Sequence, residues 1–133
     1  MYDLMIIGSG PAGISAALTA KARNLNFIWF GSRALSTKIE SAEKIMNYPG
    51  LPAVTGSEMQ SVFLKQIDDC GITITESQVN SIYDCGGYFA AGADNEIYEA
   101  KAVIMTVGMT TTREIEGEAR LLGCGVSYCA TCD

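Results

Sequence analysis

The feature that most constrains the fold is the segment Gly-Ser-Gly-Pro-Ala-Gly at residues 8–13. It follows a continuous apolar run, Leu-Met-Ile-Ile at residues 4–7, which is typical of a parallel strand buried on both faces. Small and helix-favouring residues then predict a helix from Ala12 to about Asn24. A G-x-G-x-x-G segment between a strand and a helix predicts a dinucleotide-binding turn, in which the glycines allow a tight turn, a close pyrophosphate and close helix packing.

The following residues extend this unit and then lose their periodicity. Residues 26–30 predict a second strand, which completes a β-α-β unit. We expect residues 31–54 to be mostly loop and to contact a ligand, because long irregular segments in compact domains are usually functional.

A second helix and further strands are predicted downstream. Ser57 and Gln60 resemble a capping box, and Met59, Phe63 and Ile67 follow on one helical face that ends near Gly71. Residues 72–75 look like another strand. A small antiparallel meander is predicted from three strands, 79–85, 88–91 and 96–99, with turns at 86–87 and 94–95. A buried strand is predicted at 103–107 and a linker at 108–117. The fold class is α/β, with a parallel sheet and a small antiparallel meander.

The acidic residue expected at the end of the second strand is missing. Such a carboxylate usually binds the ribose hydroxyls, but here Phe30 is followed by Gly31, Ser32 and Arg33. Ser32 or the backbone would have to substitute. Arg33 raises the alternative of a phosphorylated ribose, as in NADP sites, so the turn alone does not choose between FAD and NADP.

Charge and hydropathy exclude several classes of partner. The chain of 133 residues carries a formal net charge of −6 and has no cluster of lysine or arginine, which argues against binding to nucleic acid or to an anionic membrane. No apolar run approaches the roughly 20 residues that a membrane helix needs. A hydrophobic fraction of 48% suits the core of one domain.

Cysteines and carboxylates carry the chemistry, because the chain has no histidine. Cys129 and Cys132 have C-x-x-C spacing with Asp133 beside them, which favours thiol–disulfide exchange. A structural zinc site is the alternative, but its second half is absent and Cys124 gives only a third ligand. Cys124, Cys70 and Cys85 are expected to be small buried residues. The odd count of five cysteines and the absence of a charged leader favour a reducing, cytoplasmic location.

Four motifs in order resemble the low-molecular-weight thioredoxin reductases, FAD-dependent enzymes with two dinucleotide-binding domains. The resemblance covers the whole chain. It rests on the glycine turn at 8–13, Asn-Tyr-Pro-Gly at 47–50, Val-Gly at 107–108, and Gly-Val-Ser-Tyr-Cys-Ala-Thr-Cys-Asp at 125–133.

The resemblance implies a Rossmann-like FAD-binding domain in residues 1–110, followed by a linker and the start of a nicotinamide-type domain in 111–133. It places these residues at the cofactor: Gly8, Ser9, Gly10, Pro11, Ala12 and Gly13 at the pyrophosphate, Gly31 and Ser32 near the adenosine ribose, Lys38 and Asn47 at the flavin, Val79 at the adenine, and Gly108. Without it, Asn47 would more readily be a turn residue and Lys38 a solvated loop residue, while Trp29 belongs to the core.

Two departures from the family pattern stand out. Lys38 replaces the glutamine of a Gly-Gly-Gln motif, as in a clostridial-type subgroup proposed to take electrons from ferredoxin instead of NADPH. Members of the family also continue past the C-x-x-C motif through a nicotinamide-binding domain and then return to the FAD domain. We therefore expect this chain to correspond to the first part of that architecture and not to turn over unaided.

The resemblance also implies roles at the thiols. Cys132 is the thiol nearest the flavin, Cys129 is the interchange thiol that attacks thioredoxin, and Asp133 is the candidate proton donor. The implied partners are thioredoxin, ferredoxin as a possible donor, and a second copy of the protein in a homodimer. A nucleotide-binding module in which the thiols merely sense oxidation is the alternative of a different class.

Overall fold

The computed structural model describes residues 1–108, 116–121 and 124. Its elements, in chain order, are β1 (Tyr2–Ile7), α1 (Pro11–Ala22), β2 (Phe27–Phe30), α2 (Thr37–Glu40), α3 (Gly56–Asp69), β3 (Val79–Asp84), β4 (Phe89–Ala93), β5 (Glu96–Met105) and α4 (Glu118–Leu121). The five strands form one mixed sheet in the order β2-β1-β5-β4-β3. The expected parallel sheet and antiparallel meander are therefore both confirmed, as parts of the same sheet.

The parallel half of the sheet is centred on β1. Leu4 pairs with Phe27 of β2 on one side and with Ala102 of β5 on the other. Met5 and Ile6 belong to the clusters on opposite faces of the sheet, and both are fully buried, which explains the continuous apolar run. The ends of β1 and β2 therefore meet at the same edge, where the glycine turn begins.

Helices α1 and α3 cover one face of this half of the sheet. Their buried residues include Ile14 and Ala17 of α1 and the predicted stripe Met59, Phe63 and Ile67 of α3, which pack with Leu4, Ile6 and Trp29 of the strands. Helix α1 ends before Asn24, whose φ of 54° is left-handed, as the sequence predicts.

The meander packs against the opposite face. Met5, Ile7, Ile28 and Phe30 of the parallel strands contact the small residues Ala91, Ala93 and Ala100. Phe30 also makes an edge-to-face contact with Tyr98, with ring centroids 5.0 Å apart. Small side chains on β4 and β5 thus allow the larger ones of β1 and β2 to be buried on this side.

The capping box was assigned to the wrong residues. Thr55, not Ser57, is the N-cap of α3, and its hydroxyl accepts from the Glu58 amide while Glu58 accepts from the Thr55 amide. Both pairs have the S/T-x-x-E/Q pattern, but the structure uses the first. Gly56, the first residue of the helix, packs closely against α2, and a Cβ there would lie 1.6 Å from the Ile39 carbonyl oxygen, so this position requires glycine.

Two strand predictions also differ from the structure. Residues 72–75 contribute only an isolated parallel bridge between Phe30 and Thr75, although Ile72 and Ile74 are buried. Residues 96–99 and 103–107 were expected in separate strands, but β5 is continuous, antiparallel to β4 in its first half and parallel to β1 in its second. In the described ranges that second half pairs only with β1, so Ile104 and Met105 are 40% and 61% exposed, not buried.

The stripe on α3 is open to a direct test. Ile67→Ala should lower the free energy of unfolding by about 3 kcal/mol, because Ile67 is fully buried and its removal leaves a cavity. Val62→Ala on the same helix is the control, since Val62 is 45% exposed and should cost less than about 1 kcal/mol. Urea unfolding measures both, and equal losses would contradict the observed orientation of α3.

Candidate functional site

An open cleft of about 850 Å³ lies where β1 and β2 end. Its walls come from five segments of the chain, residues 7–12, 30–32, 34–38, 76–79 and 106–108. This volume falls within the range of small-molecule sites in proteins. The glycine turn forms one wall, and the loop after β2 faces it.

The turn is held in place through the Gly8 backbone. Gly8 has a φ of 113°, which favours glycine, and its amide donates to the Phe30 carbonyl at 2.8 Å. Its carbonyl accepts from the Trp29 indole Nε1 at 2.8 Å. The Thr106 hydroxyl lies within hydrogen-bond distance of two carbonyl oxygens, that of Ile7 at 2.9 Å and that of Gly8 at 3.1 Å. Residues from β2 and from the end of β5 therefore fix the position of the turn. Trp29 is 1% exposed, which confirms it as a core residue and adds a role that the sequence did not indicate.

The amino terminus of α1 opens into the cleft. Gly10 is the N-cap, Pro11 follows at the first helical position, and no acidic residue lies in the first turn. Unpaired amides and the positive end of the helix dipole favour an anion at this point. The arrangement suits the pyrophosphate of a dinucleotide.

Glycine is required at the three motif positions for different structural reasons. A Cβ on Gly13 would lie 2.0 Å from the Gly8 carbonyl oxygen, and one on Gly8 would lie 2.3 Å from the Thr106 carbonyl oxygen. A Cβ on Gly10 would meet nothing within 4 Å, and the backbone there is extended with φ −72° and ψ −178°. Packing thus requires Gly8 and Gly13, whereas only a ligand in the cleft would require Gly10.

The loop after β2 is tied to the glycine turn by Ser9. The Ser9 hydroxyl donates to the Leu35 carbonyl and accepts from the Ser32 amide, both at 3.0 Å. Ser9 itself is 7% exposed, so these bonds are shielded from water. They set the width of the cleft between the turn and residues 32–35.

Arg33 points away from the cleft. Its guanidinium makes two hydrogen bonds to the Asp68 carboxylate at 3.1 and 3.0 Å, which lower the pKa of that carboxyl. Arg33 is also not among the lining residues. The residue that had suggested a phosphorylated ribose is therefore engaged elsewhere.

Most of the residues expected at the cofactor do come together. Those that line the cleft are Gly8, Ser9, Gly10, Pro11, Ala12, Gly31, Ser32, Lys38, Val79 and Gly108. Gly13 lies behind the turn, and Asn47 is exposed and outside the lining. Cys129, Cys132 and Asp133 lie outside the described residues.

Sequence reasoning missed Thr106 and Glu76, which also line the cleft. Thr106 immediately follows β5, at the edge where parallel strands place ligand-binding residues, and that position was the available signal. Glu76 had no local signal, because the segment before it only bridges to β2 through Thr75.

The remaining described cysteines differ from expectation. Cys85 and Cys124 are exposed and Cys70 is partly buried, so the prediction of three buried thiols is wrong. Cys85 precedes the Gly86-Gly87 turn between β3 and β4, at an exposed end of the hairpin. Among the described residues, no group of three or more cysteine, aspartate or glutamate side chains is placed to hold a metal ion.

A model of the family described as pyridine nucleotide-disulphide oxidoreductase matches residues 2–133. The chain belongs to this family. None of the helices in the described ranges has the length and apolar character needed to cross a membrane.

Relatives named as thioredoxin reductases match the whole chain. The thioredoxin reductase of Bacillus subtilis is 31% identical over all of this chain and 42% of its own length. The bifunctional thioredoxin reductase/thioredoxin of Mycobacterium leprae is 35% identical, again over all of this chain and over 30% of its own length. The chain thus spans less than half the length of these curated relatives.

Solved structures agree with this assignment. A ferredoxin-flavin thioredoxin reductase from Clostridium acetobutylicum is 47% identical, with a TM-score of 0.82 over 99% of this chain and 46% of that one. The thioredoxin reductase from Streptococcus pyogenes is 34% identical, with a TM-score of 0.83 over 98% of this chain and 43% of that one. The fold is that of the flavin-binding domain in this class of reductases.

Substitutions at two motif glycines should separate the ligand from the fold. Gly10→Val should cost only about 1 kcal/mol, through the poorer N-cap of α1, because its side chain meets no protein atom, yet it should abolish retention of a dinucleotide cofactor. Gly13→Ala should destabilise the fold by about 3 kcal/mol through the clash with the Gly8 carbonyl. Urea unfolding and the flavin content of the purified protein measure the two effects. A loss of stability in Gly10→Val as large as that in Gly13→Ala would contradict the assignment of Gly10 to the ligand.

Proposed function

We propose that the chain is the first part of a flavin-dependent thioredoxin reductase, which passes electrons from a reduced donor through FAD to a Cys129–Cys132 disulfide and on to thioredoxin. The observation that carries the proposal is the cleft at the amino terminus of α1, where Gly10 has no packing reason to lack a side chain. The 47% identity to a ferredoxin-flavin thioredoxin reductase supports the same reading.

The cleft residues fit FAD. Backbone amides around Gly10 and Ala12 would hold the pyrophosphate, and Gly31 and Ser32 lie where the β-α-β unit places an adenosine ribose. Val79 would contact the adenine and Gly108 and Lys38 the flavin half, with Asn47 as a further flavin contact. When bound, the flavin accepts two electrons and delivers them to a disulfide.

The cysteine pair would carry those electrons out to the substrate. Two electrons and two protons convert the Cys129–Cys132 disulfide to a dithiol. The Cys129 thiolate then attacks the thioredoxin disulfide and forms a mixed disulfide, and Cys132 attacks the Cys129 sulfur, which releases reduced thioredoxin and restores the starting disulfide. Asp133 would protonate the thiolate that leaves.

Two versions of this function differ in the electron donor. NADPH is the donor implied by the family in general, and its site would lie beyond Asp133. Reduced ferredoxin is the second candidate, favoured by the higher identity to the ferredoxin-flavin enzyme, 47% against 29–35% for the curated thioredoxin reductases, and by Lys38 in place of glutamine.

The remaining assignments follow from the same proposal. Residues 1–110 would belong to the FAD-binding domain, and 111–133 would link it to a second domain. The complete protein would act as a cytoplasmic homodimer, with thioredoxin as its substrate.

The test compares donors on the complete, purified protein. NADPH, NADH and reduced ferredoxin are each supplied with oxidised thioredoxin, and thiol formation is followed. A colourless protein that releases no flavin on heating would overturn the proposal. A redox-sensing module would instead reduce no thioredoxin with any donor, while oxidation of its cysteines changes ligand binding.

Serine substitutions should isolate the thiol step. Cys129→Ser and Cys132→Ser should each abolish reduction of thioredoxin, since a single thiol cannot complete the exchange, but should leave flavin bound. Cys85→Ser is the matched control, because Cys85 is an exposed thiol outside the cleft. Turnover retained in either active-site variant would refute the assigned roles.

Asp133→Asn should slow thiol exchange by about 10² to 10⁴-fold, the range of general acid catalysis. Single-turnover reduction of thioredoxin across pH measures this, with Asp84→Asn as the control, because Asp84 is an exposed carboxylate of β3 outside the cleft. A rate unchanged at every pH would remove Asp133 as the proton donor.

A further inference from the structure

Position 31 cannot carry the carboxylate that usually follows β2. A Cβ on Gly31 would lie 2.5 Å from the Ser9 Cβ and 2.8 Å from its hydroxyl oxygen. Ser9 cannot yield, because its hydroxyl is bonded to the Leu35 carbonyl and the Ser32 amide. The side chain of Ser9 thus occupies the space in which an acidic residue would begin.

A different carboxylate reaches the same edge of the sheet. The Thr75 amide donates to the Trp29 carbonyl at 2.7 Å, and the Gly31 amide donates to the Thr75 carbonyl at 3.1 Å. This parallel bridge aligns residue 75 with the end of β2, so the next residue, Glu76, emerges beside Gly31. Glu76 lines the cleft, together with Ser77 and Gln78.

The charges around Glu76 leave its carboxylate available. Within the described residues, no hydrogen bond engages the Glu76 carboxylate. The neighbouring cation, Arg33, is bonded to Asp68 instead. Hydrogen bonds to Asp68 contribute most to the raised pKa of Arg33, and the charge of Glu76 adds a smaller contribution, so the two side chains are within electrostatic range. Glu76 therefore presents a carboxylate at this end of the cleft, while Arg33 is turned away.

We propose that Glu76 binds the adenosine ribose hydroxyls in place of the absent acidic residue after β2. A carboxylate accepts hydrogen bonds from both hydroxyls, as the usual residue does from β2. Ser32 complements it: its Oγ accepts from the Ala34 amide at 3.1 Å, which leaves its proton to donate. A negative charge here also disfavours a 2′-phosphate, so the site selects an unphosphorylated adenosine. The inference rests on the proposed binding of FAD.

The test uses FAD and an analogue that lacks both hydroxyls on the adenosine ribose. Each is titrated into the flavin-free form of the complete protein, and quenching of flavin fluorescence gives the dissociation constant. The unaltered protein should bind FAD about 10-fold more tightly than the analogue, the effect of one charge-assisted hydrogen bond. In Glu76→Gln the preference should fall to the part that Ser32 alone supplies, within about 2-fold, with the affinity for the analogue unchanged.

A carboxylate outside the cleft provides the control. Glu99→Gln, at an exposed position of β5, should keep the full preference for FAD. A preference retained in Glu76→Gln would overturn the assignment of Glu76 while leaving FAD binding intact. No binding of FAD by the unaltered protein would overturn the proposed function itself, and this inference with it.

Discussion

The site depends on one backbone oxygen, the carbonyl of Gly8. It receives the Trp29 indole proton and lies within hydrogen-bond distance of the Thr106 hydroxyl, which also reaches the Ile7 carbonyl. Trp29 belongs to β2, and Thr106 is the residue after β5. Three chain segments far apart in sequence thus meet at the end of β1. Because this oxygen is bonded to an internal donor, the backbone at Gly8 is fixed at the point where the cofactor motif begins.

The residues around the turn are packed so closely that several positions have no room for a side chain. Gly13 and Gly8 are in contact with backbone atoms, while Ser9 fills the space beside Gly31 and ties down the loop after β2. Glycine at position 31 and serine at position 9 therefore depend on each other, because the Ser9 side chain fills the space that a side chain at position 31 would need. The absence of an acidic residue after β2 left the choice between FAD and NADP open in the sequence. In the structure this absence has a steric cause, the contact with Ser9.

Local patterns predicted the parts of the fold that local physics determines. The apolar run of β1, the glycine turn, the stripe of α3 and the glycine-rich turn after β3 each depend on residues adjacent in sequence, and all were predicted. The start of α3 lies two residues before the predicted one, because two overlapping S/T-x-x-E/Q pairs carry the same local signal and the structure uses Thr55 with Glu58. The continuity of β5 and the position of Glu76 depend on pairing with β1 and β2, which no local pattern reports.

Trp29 gives the turn an optical reporter. It is the only tryptophan in the chain, it is almost fully buried, and its indole N–H is bonded to the backbone that begins the cofactor motif. Emission from an indole responds to the loss of such a bond and is quenched by a nearby flavin. The tryptophan fluorescence of this chain therefore comes from a residue bonded to the start of the cofactor motif, and a change in that signal reports on the turn without an added label.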